Sequence, residues 1–133
     1  MKSSMILLLS LFFSCGLVAQ SSTETPSSET AAVAEEAPIR RTLYFKFKPE
    51  VTVQEIEEVR TTFKGLKDQI DGMTEAIWMV APDQEETYTH FLMLEFSHKE
   101  ALKAYEEHPD HKAIAAKGPA LIAGFYLQDY KVK

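Results

Sequence analysis

The chain has 133 residues, which is enough for one domain. Its formal charge is −6 at pH 7, and the pI is about 5.2. Lys2 and four glutamates lie outside residues 39–133, which leaves that segment a formal charge of −3. Binding of nucleic acid relies on clustered positive charge, so the composition predicts no nucleic-acid partner.

Residues 1–19 have the pattern of a bacterial Sec-type secretory signal. A positive charge precedes the apolar run Met5–Phe13, which is too short to span a membrane as a mature helix. Two processing routes stay open: Leu17–Ala19 offers small residues to signal peptidase, whereas Phe13–Gly16 resembles a lipobox in which Cys15 would carry lipid. We therefore expect an exported protein, either periplasmic or anchored to a membrane as a lipoprotein.

The single cysteine, Cys15, lies in this signal. The folded part is therefore predicted to have no thiol, disulfide or cysteine metal site.

Residues 20–38 are rich in Ser, Thr, Ala, Pro and Glu and contain no aromatic residue, so they cannot bury enough apolar surface to order themselves. We predict a disordered acidic linker over 20–38 and one folded domain over 39–133.

A strand and a long helix are predicted at the start of the domain. Thr42–Lys48 alternates between apolar and polar residues, with Phe45 on the apolar face, and Pro49 ends the pattern. Thr52–Glu55 has the sequence of a capping box. Apolar residues recur behind it at intervals of three and four as far as Ile70, which predicts one apolar stripe of a helix.

Two further strands, Met73–Ala81 and Tyr88–Phe96, are predicted around a polar loop. Ser97–Glu100 has the sequence of a second capping box and predicts a helix that carries Tyr105.

A short extra helix over Lys112–Gly118 and a last strand over Gly124–Lys131 complete the pattern. The element order is βαββαβ, which predicts an α+β domain on the ferredoxin-like plan. Helices cover one face of such a sheet, so the other face should be polar in a monomer. Phe91 and Met93 instead make that face apolar, and we predict that an identical subunit covers it in a homodimer.

Proton-transfer chemistry is concentrated in one segment, Tyr105–His111. Pro109 ends a helix and moves His108 out of the α region, so His111 is expected on a turn, free to point back. A neutral imidazole there could remove a proton from carbon beside a carbonyl, while the Tyr105 phenol hydrogen-bonds the developing enolate. In the structural alternative, Tyr105 fills the core and His111 caps helix carbonyls or the turn.

Four other residues are candidate ligand contacts. His90 opens the third strand on its apolar face, where it either contacts a ligand or bonds a backbone carbonyl. Arg41 follows Arg40 and could hold a carboxylate or phosphate, or could belong to a solvated strand entry. Phe45 and Trp78 are mainly core residues, but aromatic side chains of this kind also form the walls of small-molecule pockets.

A metal site is not predicted. His90, His108 and His111 would be its ligands, but His108 and His111 are three residues apart across a proline. They lack the helical spacing of zinc-binding histidine pairs.

Over residues 40–131 the chain resembles the stress-responsive A/B barrel (Dabb) domain family. The resemblance is carried, in the expected order, by Leu43–Pro49, Gly72–Met73, Tyr88–His90, Tyr105–His111 and Asp129–Tyr130. It implies a dimeric α+β barrel. The family includes a plant polyketide cyclase that works without a cofactor.

The resemblance also implies roles for individual residues. The acid/base pair proposed for that cyclase, a histidine and a tyrosine, falls on His111 and Tyr105. A further cavity histidine falls on His90, whereas Arg41 stands where the cyclase has a histidine on its first strand.

The favoured function is binding of a small, largely apolar molecule in a cavity between sheet and helices of an exported homodimer. One alternative is a cofactor-free enzyme with cyclase-like or monooxygenase-like acid/base chemistry at Tyr105 and His111. The other is a non-catalytic, stress-associated envelope protein whose barrel serves only assembly.

Overall fold

A computed structural model describes residues 36–133 of the chain. The predicted signal over 1–19, its Cys15 and the linker as far as residue 35 lie outside the described residues. The last linker residues contact the domain: the Glu36 carboxylate lies 3.1 Å from Nζ of Lys99, and the Pro38 carbonyl accepts from the Val132 amide at 2.9 Å.

Residues 36–133 contain the elements β1 (Ile39–Phe47), α1 (Val53–Gln69), β2 (Met73–Val80), β3 (His90–Phe96), α2 (Lys99–Glu107), α3 (Pro109–Leu121) and β4 (Ile122–Lys131). The strands form one antiparallel sheet with the order β2-β3-β1-β4. This topology confirms the predicted ferredoxin-like plan, with α2 and α3 together in the place of its second helix. No helix among residues 36–133 is long and apolar enough to cross a membrane.

Strand β1 lies between β3 and β4 and sets the two faces of the sheet. Every second residue from Ile39 to Phe47 is buried, as the period of a strand requires. The core forms where this face meets the apolar stripe of α1 and the corresponding face of β3. The stripe consists of Val59, Phe63 and Leu66.

The predicted capping box at the start of α1 is confirmed. The Glu55 amide donates to Oγ1 of Thr52 at 3.2 Å, and the Thr52 amide donates to Oε2 of Glu55 at 2.8 Å. Each bond satisfies a backbone donor that would otherwise have no intrahelical partner.

The second predicted capping box, at the start of α2, is wrong. Helix α2 begins one residue later, and Nδ1 of its N-cap residue His98 accepts from the Ala101 amide at 3.2 Å. Ser97 is already used, because its amide and its hydroxyl both donate to the Gly72 carbonyl, at 2.8 and 3.2 Å.

Helix α3 is longer than predicted and changes the place of His111. It begins at Pro109, so His111 lies in its first turn and not on a preceding turn. Proline suits the first helical position, because its fixed φ is helical and its missing N–H is not needed there. The helix continues past Gly118 and through Pro119.

Gly72 is required by the turn between α1 and β2. Its φ is +83°, and a Cβ at this position would lie 2.7 Å from Nε2 of His98 and 2.9 Å from Cβ of Ala101. We expect Gly72→Ala to lower the free energy of unfolding by about 2–4 kcal/mol, from the left-handed backbone and the overpacking together. Urea unfolding measures this change.

Gly65→Ala is the matched control. Gly65 lies inside α1, and a Cβ there would meet its nearest atom at 3.9 Å. This substitution should raise the free energy of unfolding by about 0.5–1 kcal/mol, because alanine favours the helix. Equal effects at the two glycines would contradict the assignment of strain to Gly72.

Candidate functional site between the sheet and helices α1 and α3

A pocket of about 460 Å³ lies between the sheet and the helices α1 and α3. Its walls come from β1, β4, α1 and α3, and among the described residues that line it only one side chain, His111, is polar. The lining residues are Leu43, Phe45, Val59, Phe63, His111, Ile114, Ala115, Gly118, Pro119, Leu121, Ile122, Ala123, Gly124 and Phe125.

The β4 side of the pocket is only partly covered. Phe125 pairs with Phe45 in the β1–β4 register, yet 55% of the Phe125 surface is exposed, against 3% of Phe45. Helix α3, which lies over the pocket, has no buried residue of its own. The pocket therefore has a tightly packed inner wall on β1 and a loosely packed outer wall on α3 and β4.

His111 presents one ring nitrogen to the protein and keeps the other available. Its Nδ1 lies 3.3 Å from the carbonyl oxygen of Glu106. A carbonyl can only accept, so this hydrogen bond places the proton of a neutral ring on Nδ1 and leaves the Nε2 lone pair free. Burial lowers the pKa of His111, which favours the neutral imidazole at pH 7.

Tyr105 lies directly against His111. The two ring centroids are 4.2 Å apart with the planes at 37°, and the Tyr105 ring also packs against Phe96 at 5.3 Å. Only 1% of Tyr105 is exposed, and burial raises its pKa, so it is a phenol and not a phenolate. Its hydroxyl has no hydrogen-bond partner among the described residues. Such a buried, unpaired group costs about 1–3 kcal/mol of stability.

Arg41 holds two carboxylates. Its Nε and Nη2 donate to the two carboxylate oxygens of Asp129, both at 2.8 Å, and its Nη1 donates to Oε1 of Glu106 at 2.9 Å. The Arg41 side chain is 10% exposed. Hydrogen bonds from Arg41 to these carboxylates raise its pKa, so the guanidinium stays charged. As a ligand contact Arg41 stays a prediction, and three of its donors are occupied.

His90 belongs to a neighbouring aromatic cluster. Its ring lies 4.9 Å from that of Phe47 and 5.8 Å from that of Trp78, and its Nδ1 is 2.9 Å from Oγ1 of Thr89. Burial lowers the pKa of His90. Phe45 connects this cluster to the pocket, since it lines the pocket and stacks on His90 at 5.9 Å.

Of the predicted site residues, His111 and Phe45 line the pocket. Tyr105 contacts the His111 ring but is not among the residues that line the pocket. His90 and Trp78 do not line it, and their roles in ligand binding stay predictions. Among residues 36–133, no group of three or more His, Cys, Asp or Glu side chains is arranged to hold a metal ion.

Comparison with known proteins identifies the family of this domain. Residues 39–132 match the Stress Responsive A/B Barrel Domain, or Dabb, family. The chain belongs to this family. The match spans every strand and helix of residues 36–133, so the pocket and the Tyr105–His111 contact lie within the Dabb domain.

Named relatives of this Dabb protein include enzymes. Olivetolic acid cyclase from Cannabis sativa is 30% identical over 76 residues, which are 55% of this chain and 75% of the cyclase. Hydroxynitrile lyase from Passiflora edulis superposes with a TM-score of 0.64 at 14% identity, covering 74% of this chain and 95% of the lyase.

A dimeric ferredoxin-like protein from Thermobifida fusca also superposes with a TM-score of 0.64, at 20% identity, covering 74% of this chain and 93% of that one. At these identities the two superpositions establish the fold and nothing finer.

Sequence reasoning missed the partners of Arg41 and the α3 wall of the pocket. The sequence did contain a signal for Asp129. This residue alternates with Leu127 and Phe125, which places it on the helix-facing side of β4 together with Arg41. No sequence signal indicated Glu106 as a partner, since its hydrogen bond to Arg41 joins residues 65 apart in the chain.

Proposed function

We propose that this Dabb protein binds a small, mostly apolar molecule in the pocket beneath α3, with His111 as its polar contact. The observation that carries this proposal is a pocket of about 460 Å³ whose described lining is apolar except for one imidazole. Small-molecule sites usually have this size and this composition, with a few polar groups that fix the orientation of the ligand.

The open pocket favours a ligand-binding role over an assembly role. A domain that served only assembly would gain stability by filling this space, since each missing apolar contact costs dispersion energy. Here α3 instead lies over the pocket with no buried residue of its own.

Gly118 offers a direct test of binding. It lines the pocket, and a Cβ built on it meets no atom within 4 Å, so a larger side chain can enter this space. NMR titration with a panel of aryl ketones, long-chain aldehydes and terpenoid alcohols should identify a ligand that shifts the Phe63 and Ile114 resonances. Gly118→Phe should weaken its binding by about tenfold or more, which corresponds to about 1.4 kcal/mol.

Ala116→Phe is the matched control. Ala116 lies on the same helix, is exposed and does not line the pocket. This variant should bind as the wild type does. Failure of the whole panel to shift pocket resonances, or equal losses in the two variants, would contradict the proposal.

A second candidate function is cofactor-free proton transfer, and the contact between Tyr105 and His111 favours it. In the proposed step, Nε2 of His111 removes a proton from carbon beside a carbonyl. The carbon–hydrogen electron pair moves into the enolate, whose oxygen accepts a hydrogen bond from the Tyr105 phenol. Return of the proton regenerates the neutral imidazole. Similarity to olivetolic acid cyclase supports an enzyme. The proposal covers proton transfer of this general kind and not the reaction of that cyclase, because Arg41 stands where the family resemblance implies a histidine.

Deuterium exchange tests this chemistry without knowledge of the natural substrate. The protein should accelerate deuterium incorporation into the methyl group of acetophenone in D₂O, followed by proton NMR. His111→Ala should reduce the acceleration by about 100- to 10,000-fold. Because burial lowers the pKa of His111 from 6.5, the midpoint at which the rate falls with decreasing pH should lie below pH 6.5, as the base becomes protonated.

Two variants separate a catalytic role from a structural one. Tyr105→Phe should slow exchange about 100-fold, yet leave the free energy of unfolding unchanged or higher, because it removes an unpaired hydroxyl. His98→Asn removes an imidazole outside the pocket but keeps a good N-cap, and should exchange at the wild-type rate. Undiminished exchange in His111→Ala would exclude the proposed pair.

We further propose that the open face of the sheet joins two copies of the chain. Aromatic side chains cluster there: the Tyr44 ring lies 5.4 Å from Phe91 and 5.8 Å from Tyr126. Met79 beside them is 45% exposed and Tyr130 is 50% exposed. A contiguous apolar surface of this kind marks an interaction site, and the dimeric relative from Thermobifida fusca supports an identical partner.

A charge on this face should separate the subunits. We expect Phe91→Glu to sediment as a monomer in analytical ultracentrifugation, because an unpaired carboxylate in a closed interface costs several kcal/mol. Val53→Glu is the control, since Val53 is 83% exposed in the first turn of α1 and away from this face. A Phe91→Glu protein that stayed dimeric would show that another surface forms the dimer.

A further inference from the structure

Glu106 makes contacts in two directions. Its carboxylate accepts from Nη1 of Arg41 at 2.9 Å, and its backbone carbonyl lies 3.3 Å from Nδ1 of His111. It is the residue before the last in α2, where the final carbonyls have no partner within the helix. One residue therefore joins the central strand to the candidate base.

The end of α2 has unusual influence on the position of His111. Helices α2 and α3 are separated by one residue, His108, which is the C-cap of the first and the N-cap of the second. Helix α3 packs against the core only through half-buried side chains such as Ile114 and Leu121, so core packing constrains it less than it constrains α1 and α2, which have fully buried residues. The hydrogen bonds at its first turn must do more to fix the direction in which the His111 ring points.

Arg41 is a rigid anchor for this arrangement. Two parallel hydrogen bonds from its guanidinium to Asp129 hold the side chain across β1 and β4. Bidentate pairs of this type fix geometry as well as charge. The third donor, Nη1, then reaches Glu106 from a fixed point of the sheet.

We infer that Arg41 is a positioning residue for His111 and acts through Glu106. The ion pair holds the end of α2, the Glu106 carbonyl holds the Nδ1 proton of His111, and the unprotonated Nε2 is thereby presented to the pocket. This inference rests on the proposed function for its purpose, because the orientation of Nε2 matters only if His111 meets a ligand.

The tautomer of His111 provides a readout that does not depend on activity. In the full-length dimer, nitrogen-15 spectra of the histidine rings at pH 8 should show His111 with its proton on Nδ1. Arg41→Met and Glu106→Ala should each shift the tautomer ratio towards Nε2–H by roughly threefold to tenfold, the change expected for loss of one neutral hydrogen bond. The double variant should shift it no further, since both changes break the same link.

Glu107→Ala is the matched control. It removes the same charge one position along α2, and its carboxylate is 4.0 Å from Lys103 on the exposed surface. Its spectrum should match that of the wild type. An unchanged His111 tautomer in Glu106→Ala, or an equal change in Glu107→Ala, would overturn the inference.

The experiment also separates this inference from the proposed function. Glu106 is 48% exposed, so Glu106→Ala decides the question even where Arg41→Met fails to fold. If the tautomer shifts but the protein exchanges no acetophenone deuterium, the positioning of His111 through Glu106 is supported and proton transfer is excluded. If His111→Ala loses exchange but Glu106→Ala leaves the tautomer unshifted, proton transfer by His111 is supported and the positioning role of Arg41 and Glu106 is excluded.

Discussion

The candidate site depends on the helix break at His108 and Pro109. Proline has no amide proton and cannot continue α2, but it suits the first position of a new helix, so α3 begins at once. The chain changes direction within one residue. As a result, His111 folds back onto Tyr105 with ring centroids 4.2 Å apart, and the rest of α3 lies over the pocket.

Local sequence signals predicted part of the fold and of the candidate site. The period of β1 and the Thr52–Glu55 box are local signals, and both predicted their elements correctly. The proximity of Tyr105 and His111 followed from the proline as well. The prediction failed at Ser97, where the carbonyl of a residue 25 positions away competes for the hydroxyl, and at the length of α3. Periodicity cannot report such competition, because it contains no information about distant partners.

Two neighbouring features lower the stability of the protein. The Tyr105 hydroxyl is buried without a partner, and the space beneath α3 is not filled. The unpaired hydroxyl alone costs about 1–3 kcal/mol. A single substitution would remove each loss: phenylalanine in the first case and a larger α3 side chain in the second. Natural proteins retain such losses where function needs them. Their coincidence around a single imidazole is stronger support for a functional pocket than either feature alone.

The charges around this imidazole suit a base better than an acid. Arg41, Asp129 and Glu106 together carry a formal charge of −1, because one guanidinium faces two carboxylates. Burial raises the pKa of Tyr105, while Arg41 opposes this rise and the two carboxylates add to it, so the phenol stays protonated as a donor. For His111, Glu106 offsets part of the burial that lowers its pKa and would stabilise the imidazolium formed during proton removal. Arg41 stays charged at neutral pH, so the guanidinium between the two carboxylates is retained while His111 takes up and returns a proton.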